Sequence, residues 1–369
     1  MNEKKIPTIR FQGFTDDWEQ QTLGNILITL PFKPYMKSPE QNGKYEIIQQ
    51  GNEPIAGYAN GSPCLNYTDL VIFGDHTLSL FKPESPFFVA TDGVRILKGK
   101  DNMNRNYLYV LLQKYKPESE GYKRYYSILA KCKIWLTMNS NEQNRTGILF
   151  ATLDNLIALH QRKLTKLQLL KKSMLTKMFP KDGAYIPQIR FQGFHENWKR
   201  YKLGDIVDFL DTQRRSLTEN IREKGPYPYY GASGIVDYVA GYLFDEELIL
   251  LSEDGANITD RSYPVCFLAS GKYWVNNHAH VLRSKTEMDN NFICNAMERK
   301  DYSNYNSGMA MPKLNQDTCR HIPVECPSYP EQKLIGKFFR ELDNRITIHQ
   351  QKLSKLKQIK QAMLSKLFI

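Results

Sequence analysis

The residues of this sequence whose types and spacing could do chemistry are two small groups of histidine and cysteine. Cys319, His321 and Cys326 have the spacing of three metal ligands, but prolines stand beside them and no fourth ligand follows. Because a structural zinc site takes four ligands, we interpret this group as structural. His278 and His280 alternate along a predicted strand, which points both rings to one face. Hydrogen bonding to a partner is favoured there over metal ligation.

Catalytic motifs are nearly absent. Residues 93–100 come nearest to a phosphate-binding GxxxxGK[ST] loop, but they have one residue too many between the glycines and lack the Ser or Thr. No Asn-Pro-Pro-aromatic tetrapeptide of the adenine methyltransferases occurs, and no Pro-Asp precedes a Glu-x-Lys nuclease pattern. We therefore expect that this chain catalyses nothing alone, with no catalytic residues, no metal site and no cofactor of its own.

An internal repeat organises the chain that must position any functional residue. Residues 153–179 (LDNLIALHQRKLTKLQLLKKSMLTKMF) return as residues 342–368, and residues 6–26 return as residues 186–206. Internal repeats are decisive for architecture because overlooking one leads to the wrong fold. The sequence predicts two copies of one unit, each a globular part followed by a long helix. Trp18 and its copy Trp198 are predicted to pack inside.

Both long helices carry a heptad seam, in which inward-facing positions alternate at spacings of four and three for about five heptads. This pattern is specific for a coiled coil. Ser140 with Gln143, and Ser328 with Glu331, match the capping-box pattern of a helix start. The seams are Thr146, Phe150, Leu153, Ile157, His160, Leu164, Leu167, Lys171, Met174 and Met178, and Ile335, Phe339, Leu342, Ile346, His349, Leu353, Leu356, Lys360, Met363 and Leu367.

Polar residues interrupt the two seams at matching positions. His160 and Lys171 in the first helix correspond to His349 and Lys360 in the second. A polar seam residue costs stability but fixes the register of the helices, and we favour this interpretation. A metal-binding or pH-sensing role of the two histidines is the alternative.

The globular parts are predicted to be α+β domains with strand-rich cores. Predicted helices lie at residues 107–116 and 291–299. Predicted strands lie at residues 45–48, 70–73, 87–90, 94–97, 227–230, 238–243, 248–251, 265–268 and 273–275. The predicted domain bounds are 1–139 for the first globular part, 140–180 for its helix, 181–327 for the second globular part and 328–369 for its helix.

The two globular parts have diverged around a common frame. Residues 51–58 align with residues 231–238, Asp75 aligns with Asp254, and residues 92–97 align with residues 277–282. One scaffold with different side chains at the loop positions is what two different recognition tasks require.

Net charge and cysteine usage limit the class of protein. The chain has 369 residues, enough for two domains, and a net charge of +11. Residues 141–179 hold seven Lys or Arg against two Asp or Glu, and residues 331–368 hold nine against three, so these helices account for the whole excess. A basic protein favours nucleic acid as a partner. Six scattered cysteines, no apolar N-terminal stretch and no membrane-spanning run predict a cytoplasmic protein.

Two variable globular parts, each followed by a similar basic heptad helix, resemble the specificity subunit of type I restriction–modification systems over essentially the whole chain. The first helix departs from the pattern only in Thr146, where the second has Ile335, and in lacking prolines before its start. The most specific motifs are EQ…G…F…LDN at residues 142–155 and 331–344, YYGASGIVDY at 229–238, SEDGAN at 252–257, GKYWVNNHAH at 271–280, GDHT at 74–77 and ATDGVR at 90–95.

The resemblance implies a pseudo-two-fold molecule with two target-recognition domains joined by two long antiparallel coiled-coil helices. Each domain would read one half of a split, asymmetric sequence of double-stranded DNA, and the helices would set the gap between the halves. Two modification (methyltransferase) subunits would add adenine methylation with S-adenosylmethionine, and restriction motor-nuclease subunits would add translocation and cleavage with ATP and Mg, as a defence against phage.

Candidate DNA contacts are polar residues at predicted loops, because donors and acceptors on side chains read base edges. Arg214 and Arg215 are assigned to phosphates. The candidates for base edges are Gln49, Gln50, Asn52, His76 and Thr77 in the first domain, and Tyr229, Tyr230, Ser233, Asn257, Asn276, Asn277, His278 and Lys313 in the second.

Two other classes of protein remain open on the residues alone. A self-contained DNA methyltransferase or nuclease would need a cofactor motif that the sequence lacks. A coiled-coil scaffold that never touches DNA would use the helices but not the variable loops.

Overall fold

The computed structural model describes residues 6–181 and 183–369. They divide into two compact units. Unit 1 comprises the described part of Met1–Gln161 together with Gln351–Ile369, and unit 2 comprises the described part of Arg162–Gln350. Each unit therefore contains one globular part, the first portion of one long helix and the last portion of the other, and is described by itself below.

Unit 1 contains three sheets around a helical layer. β2, β8, β5 and β6 form a four-stranded antiparallel sheet in that order, β4, β3 and β7 form a second sheet in which β3 and β7 are parallel, and β1 pairs with β9. The elements are β1 (Glu19–Thr22), α1 (Leu23–Ile26), β2 (Leu27–Leu30), β3 (Tyr45–Ile48), β4 (Ile55–Ala59), β5 (Leu70–Gly74), β6 (Leu80–Phe81), β7 (Phe87–Val89), β8 (Val94–Gly99), α2 (Arg105–Tyr115), α3 (Tyr126–Lys131), β9 (Lys133–Leu136) and α4 (Ser140–Lys177).

Unit 2 repeats this topology with one additional strand, β14, at the edge of its second sheet. β11, β18, β15 and β16 form the antiparallel sheet, β13, β12, β17 and β14 form the sheet with a parallel pair, and β10 pairs with β19. The elements are β10 (Lys199–Lys202), α5 (Leu203–Ile206), β11 (Val207–Phe209), β12 (Lys224–Gly231), β13 (Gly234–Val239), β14 (Phe244–Asp245), β15 (Leu248–Ser252), α6 (Asn257–Asp260), β16 (Cys266–Ala269), β17 (Lys272–Val275), β18 (Ala279–Ser284), α7 (Asn290–Glu298), α8 (Gln316–Arg320), β19 (Pro323–Cys326) and α9 (Tyr329–Lys366).

The predicted mixed α+β fold with two long helices is confirmed, and most predicted strands coincide with observed ones to within three residues. The strand predicted at residues 238–243 is wrong. The observed strand, β13, begins at Gly234, because Gly231 pairs with Gly234 and closes a hairpin of two residues. After Val239 the chain leaves the sheet.

The long helices α4 and α9 each have 38 residues. In each unit the start of one helix lies with the end of the other, so the helices run antiparallel. All twenty predicted seam positions are buried or half-buried, so the coiled-coil seam is the inward face of each helix. His160 and His349 are among the half-buried positions.

The seam lysines form ion pairs that match across the repeat. In unit 2, Lys171 Nζ lies 2.6 Å from Asp343 Oδ1. In unit 1, Lys360 Nζ lies 2.5 Å from Asp154 Oδ1. Each lysine thus pairs with the aspartate of the Leu-Asp-Asn motif on the other helix. A polar seam residue that meets its partner at only one alignment of the two helices favours that alignment over the others.

The repeated N-terminal blocks are tied to the helix starts by buried ion pairs. Arg10 donates two hydrogen bonds of 2.7 and 2.8 Å to the buried carboxylate of Glu142, and Arg190 donates two of the same lengths to Glu331. Bidentate pairs of this geometry are the strongest charge-assisted hydrogen bonds in proteins. Each block therefore fixes where its helix begins.

The predicted capping boxes are not formed. Because Glu331 pairs with Arg190, its side chain does not return to Ser328, and the backbone oxygen of Ser328 alone receives the amides of the first turn. In α4 the capping side chain belongs to Asn139, whose Oδ1 accepts the amides of the second and third helical residues at 3.1 and 3.3 Å. Gln143 instead donates to the carbonyl of Thr137 at 2.9 Å.

The closing phenylalanine of each helix lies in a hydrophobic core. In unit 1, Phe368 meets Trp18 edge to face with ring centroids 5.7 Å apart. In unit 2, Phe179 meets Trp198 in the same way at 6.0 Å. Both tryptophans are buried, which confirms the predicted packing. Among the described residues, no helix has the length and apolar character needed to span a bilayer.

Candidate nucleic-acid interface

In unit 1 the structure brings all five predicted contact residues to adjacent turns. Gln49, Gln50 and Asn52 lie between β3 and β4, and His76 and Thr77 lie between β5 and β6. Gln50 Oε1 accepts the backbone amide of His76 at 2.9 Å and so joins the two turns. These residues therefore share one edge of the unit.

The side chains at this edge differ in their exposure and in their hydrogen bonds. Gln50 is half-buried and holds the turns together, whereas Asn52 and Thr77 are exposed. Gln49 Nε2 donates to the carbonyl of Glu53 at 2.8 Å and stabilises its own turn. We assign Gln49 and Gln50 a positioning role, while direct base contact by Asn52 and Thr77 stays a prediction.

His76 is held from two sides. Its Nδ1 lies 3.1 Å from the carbonyl oxygen of Lys123, and its ring stacks on Tyr122 with centroids 4.6 Å apart and an interplanar angle of 2°. Because a carbonyl can only accept, Nδ1 carries the proton, and Nε2 is the acceptor of the neutral ring. A contact of Nε2 with a base amino group stays a prediction.

In unit 2 the turn between β17 and β18 carries three predicted contacts. Asn276 is buried, and its Oδ1 accepts the amide of His278 at 2.8 Å, which shapes the turn. Asn277 is exposed, and its Oδ1 accepts the hydroxyl of Ser216. His278 is exposed over 52% of its side chain, and its Nδ1 lies 2.8 Å from Asp254 Oδ1. Asn277 and His278 can therefore reach a ligand, whereas Asn276 positions them.

The predicted pairing of His278 with His280 on one strand face is wrong. β18 begins at Ala279, so His278 belongs to the turn and is exposed, while His280 lies inside the strand and is 1% exposed. The aligned pair Asp75 and Asp254 is also displaced by one residue. The counterpart of Asp75, the residue directly after β5, is Glu253, directly after β15.

Four predicted contacts of unit 2 lie in structural positions, and we remove them from the proposed contact surface. Tyr229 is 1% exposed and its hydroxyl accepts the amide of Leu217 at 3.0 Å. Tyr230 is half-buried and packs edge to face on Tyr273. Asn257 accepts the amide of Tyr263 at 2.7 Å and closes its own loop. The fourth is Arg214, which lies under the turn.

The guanidinium of Arg214 belongs to a buried cluster of charges. It lies 2.6 Å from Glu253 Oε2 and donates to the carbonyl of Ala279 at 2.8 Å. His280 Nδ1 lies 2.6 Å from Asp211 Oδ2, and its Nε2 lies 2.8 Å from the carbonyl oxygen of Leu314. These groups support the turn that presents His278, so we assign Arg214 a positioning role and no phosphate.

Burial is the largest single influence on His280 and would lower its pKa, but the hydrogen bond to Asp211, the neighbouring Cys319 and the charge of Asp211 together outweigh burial and raise the pKa to about 10. Burial likewise opposes ionisation of Asp211, yet the hydrogen bond and charge of His280, the amide of Val281 and the charge of Arg214 together leave the pKa of that carboxyl below its usual value. The pair is therefore charged at neutral pH and ties β18 to the loop that follows β11.

Arg215, Ser233 and Lys313 are exposed. The backbone of Arg215 is fixed, since its carbonyl accepts the indole N–H of Trp274 at 2.6 Å. Lys313 Nζ lies 3.5 Å from Glu253 Oε1, beside the cluster. Their contact with DNA stays a prediction, with Arg215 suited to a phosphate.

Cys319 and Cys326 are buried in the core of unit 2, whereas His321 is exposed and its Nδ1 lies 2.7 Å from the carbonyl oxygen of Asp317. This geometry supports the structural interpretation. Within residues 6–181 and 183–369, no group of three or more His, Cys, Asp or Glu side chains is arranged to hold a metal ion.

Sequence reasoning missed residues beside both turns. Asp254 orients His278, and Tyr122 stacks on His76. Met309 and Met311 are exposed on the loop that ends at Lys313. A signal existed for this loop, because two methionines stand in a stretch of Asn, Ser, Gly and Pro that predicts a surface turn.

A solved structure shares the fold of this chain. The chain matches the S subunit of a type I restriction–modification system from Mycoplasma genitalium with a TM-score of 0.76 and 18% identity, over 99% of each chain. At this identity the likeness shows the fold alone, which is a mixed α+β architecture with two long helices.

Sequence comparison adds partial similarities to named proteins. Residues 195–358 match the model of the type I restriction modification DNA specificity domain. A protein of Haemophilus influenzae named as a type I restriction enzyme specificity subunit is 30% identical over 41% of this chain and 38% of its own length. One from Methanocaldococcus jannaschii is 22% identical over 47% and 42%. The matched stretches span about two fifths of these relatives. Over these stretches the chain is similar to type I restriction–modification specificity subunits.

Proposed function

We propose that this chain is the DNA-reading subunit of a type I restriction–modification complex and contributes no active site of its own. Unit 1 reads one half of a split, asymmetric duplex target and unit 2 reads the other. Two modification subunits dock on the chain and methylate adenine with S-adenosylmethionine. Restriction motor-nuclease subunits supply ATP- and Mg-dependent translocation and cleavage, and the complex acts in the cytoplasm.

The observation that carries this proposal is a shared framework with unlike side chains at matching turns. The turn after β5 presents His76 and Thr77, whereas the turn after β15 presents Asp254, which holds His278. A scaffold protein has no need for such divergence at equivalent turns. Two readers of different base sequences require it, because each base pair displays its own pattern of donors and acceptors in the major groove.

The long helices support a spacer role. A helix of 38 residues is about 57 Å long at 1.5 Å per residue. Duplex DNA repeats every ~34 Å, so this length corresponds to somewhat under two turns. The basic charge of the helices also suits proximity to DNA.

The experiment that tests the proposal exchanges residues 27–138 for the matching part of another specificity subunit. Methylome sequencing of a host that carries the hybrid with its modification subunit is expected to show one half-site changed and the other retained. Alteration of both halves would contradict the assignment of one unit to one half. Insertion of one heptad into each helix is expected to widen the gap between the two DNA half-sites. An unchanged gap would contradict the spacer role of the helices.

A second assay separates this function from a self-contained methyltransferase. The purified chain is incubated with labelled S-adenosylmethionine and target DNA, with and without the modification subunit. Label is expected in DNA only when the modification subunit is present. Transfer by the chain alone would assign catalysis to it.

A further inference from the structure

In both units the most exposed large apolar side chain of the described residues lies on the loop that precedes the short helix before the last strand. In unit 1 this side chain is Tyr122, which is 88% exposed, and in unit 2 it is Met309, which is fully exposed. Met311 is exposed beside Met309. A single exposed apolar residue needs no explanation. Its recurrence at one position of both copies, in unlike sequences, does need one.

The two loops hold the same place in the shared topology. We call residues 117–124 and 306–313 the tip loops. The first ends at Tyr125, whose amide donates to the carbonyl of Asp75 at 2.7 Å, directly after β5. The second ends at Leu314, whose amide donates to the carbonyl of Glu253 at 2.7 Å, directly after β15. The hydrogen bond is the same in both units, so the tips are equivalent.

The tip loop of unit 2 is built as a fixed turn. Asn306 Oδ1 accepts the amides of Gly308 and Lys313 at 2.9 and 2.8 Å and closes the loop across its base. A Cβ on Gly308 would overlap the carbonyl oxygen of Met311, so the chain doubles back on itself too closely for any other residue. Met309 therefore projects from a turn whose backbone is held in place.

The tip loop of unit 1 is fixed by a different side chain. The hydroxyl of Tyr125 accepts the amide of Glu120 and donates to the carbonyl of Gly121, each at 2.7 Å. The ring of Tyr122 is oriented by its stack on His76. Both tips thus present an apolar group on a backbone that is already ordered, which lowers the backbone entropy lost on binding.

Both tips adjoin the predicted base readers. Tyr122 stacks directly on His76, and the backbone carbonyl of its neighbour Lys123 accepts a hydrogen bond from the same ring. In unit 2, the carbonyl of Pro312 accepts the amide of Gly255, and the backbone of Lys313 forms a β-bridge with that of Asp254, the residue that holds His278. Each tip loop therefore adjoins the turn that carries, or holds, the histidine of its unit.

We propose that Tyr122 and Met309 are wedges that enter the base stack of the target duplex, one in each half-site. The proposal rests on the proposed function. Apolar side chains that enter between base steps partly unstack them and kink the duplex, and an aromatic ring stacks on a base face. Unstacking beside a target adenine lowers the cost of extruding that base, which a methyltransferase must do to reach it. The wedges thus prepare DNA for the modification subunits.

The test uses the full chain in complex with its modification subunit and duplexes that carry 2-aminopurine, a base whose fluorescence rises when it is unstacked. The target is first obtained by methylome sequencing, and the probe is then placed at each step of each half-site. The wild-type complex is expected to raise fluorescence several-fold at one step in each half. Tyr122→Ala is expected to abolish the rise in the first half only, and the double variant Met309→Ala with Met311→Ala in the second half only.

The two variants control for each other, because each leaves the other half-site intact. Leu65→Ala removes a similarly exposed side chain of unit 1 away from the tip and is expected to change neither signal. Tyr122→Phe keeps the ring and is expected to keep the signal. Target affinity is expected to fall about tenfold for each tip variant. Unchanged thermal unfolding of all variants shows that the fold is retained.

Two results would overturn the wedges while leaving the proposed function in place. One is sequence-specific binding by the wild-type complex with no rise in fluorescence at any step. The other is a tip variant that keeps the rise but loses the modification subunit, which would assign the tips to protein docking. Absence of any sequence-specific binding by the wild-type complex would instead remove the proposed function, and the wedges with it.

Discussion

Unit 1 and unit 2 are one framework with two different sets of turn residues. Their sheets have the same strand order apart from the additional strand β14 of unit 2, and their long helices begin at the same kind of bidentate ion pair. Behind the reading turn, however, unit 1 places Asp75 with Arg95, whereas unit 2 places Glu253 with Arg214 and keeps His280 close by. The difference shows which positions hold the fold and which are available to change what is recognised.

The common positions are the ones at which a change is costly. A buried carboxylate that loses its partner is strongly destabilising, whereas an exposed turn residue changes stability little. The two copies have accordingly kept the anchors and diverged at the turns. The predictions below run from the anchors, where the largest effect on stability is expected, to the turns, where the smallest is expected.

Loss of an anchoring arginine is expected to destabilise only its own unit. Arg10→Ala leaves Glu142 buried without its partner, and Arg190→Ala does the same to Glu331. Each change is expected to lower the free energy of unfolding of that unit by about 3–5 kcal/mol. Hydrogen exchange followed by mass spectrometry measures the two units separately.

The lysine variants of the same two positions serve as controls. Lysine keeps the charge but cannot form the bidentate pair, so an intermediate loss is expected. Equal loss of protection from hydrogen exchange in both units, caused by either alanine variant, would show that the anchors do not act locally. It would contradict the view that each anchor stabilises its own unit.

The stability of unit 2, but not that of unit 1, is expected to fall as the pH rises from 6.5 to 10. His280 has a pKa raised from 6.5 to about 10 in the folded state. The charged ring therefore contributes its full stabilisation of unit 2 below pH 6.5, and this contribution is lost as the pH rises through 10. The matching residue of unit 1 is an arginine, Arg95, and not a histidine. A loss on the order of a few kcal/mol is expected for unit 2 in urea unfolding followed by exchange in each unit.

His280→Gln removes the titrating group and provides the reference. The difference between wild type and this variant is expected to shrink as the pH rises, because other groups titrate equally in both. A difference that stays constant from pH 6.5 to 10 would rule out the charged form of His280 as a source of stability.

Much of this framework could be predicted, because it repeats in the sequence. The seam residues and the apolar runs that became β5 and β15 follow from periodicity and composition alone, since burial selects them directly. The turns could not be placed with the same success. Whether Asn276 or Asn277 faces solvent depends on a hydrogen bond to the chain two residues on, and Tyr229 looks like a reader until its partner Leu217, far along the chain, is known.

Capping shows the same limit. Ser328 and Glu331 have the spacing of a capping box, but Glu331 is taken by Arg190, which lies 141 residues away. A local pattern predicts local partners only. The buried cluster around His280 could not be predicted from the sequence either, because its members come from four separate segments of the chain.

The seam ion pairs are expected to contribute about 1 kcal/mol each, less than the anchors, because both lysines remain partly exposed to solvent. Double-mutant cycles to alanine, with Lys171 and Asp343 in unit 2 and Lys360 and Asp154 in unit 1, are expected to give similar coupling energies. Exchange of the two charges in one pair is expected to restore most of the loss. Coupling in one unit alone would mean that only one pair fixes the register.

The smallest change in stability, and the clearest separation of the units, is expected at the exposed histidines. His278→Ala removes a side chain of which half is exposed, so the free energy of unfolding is expected to change by less than about 0.5 kcal/mol. Its ring is oriented by Asp254, and a good contact to a base edge contributes about 1–3 kcal/mol of discrimination. Methylome sequencing is therefore expected to show relaxed specificity at one position of the second half-site, with the first half unchanged. His76→Ala is the matched variant and is expected to relax the first half-site only. If either variant lowered methylation at all sites equally, the histidine would serve affinity and not recognition, and the turns would no longer explain why the two units differ.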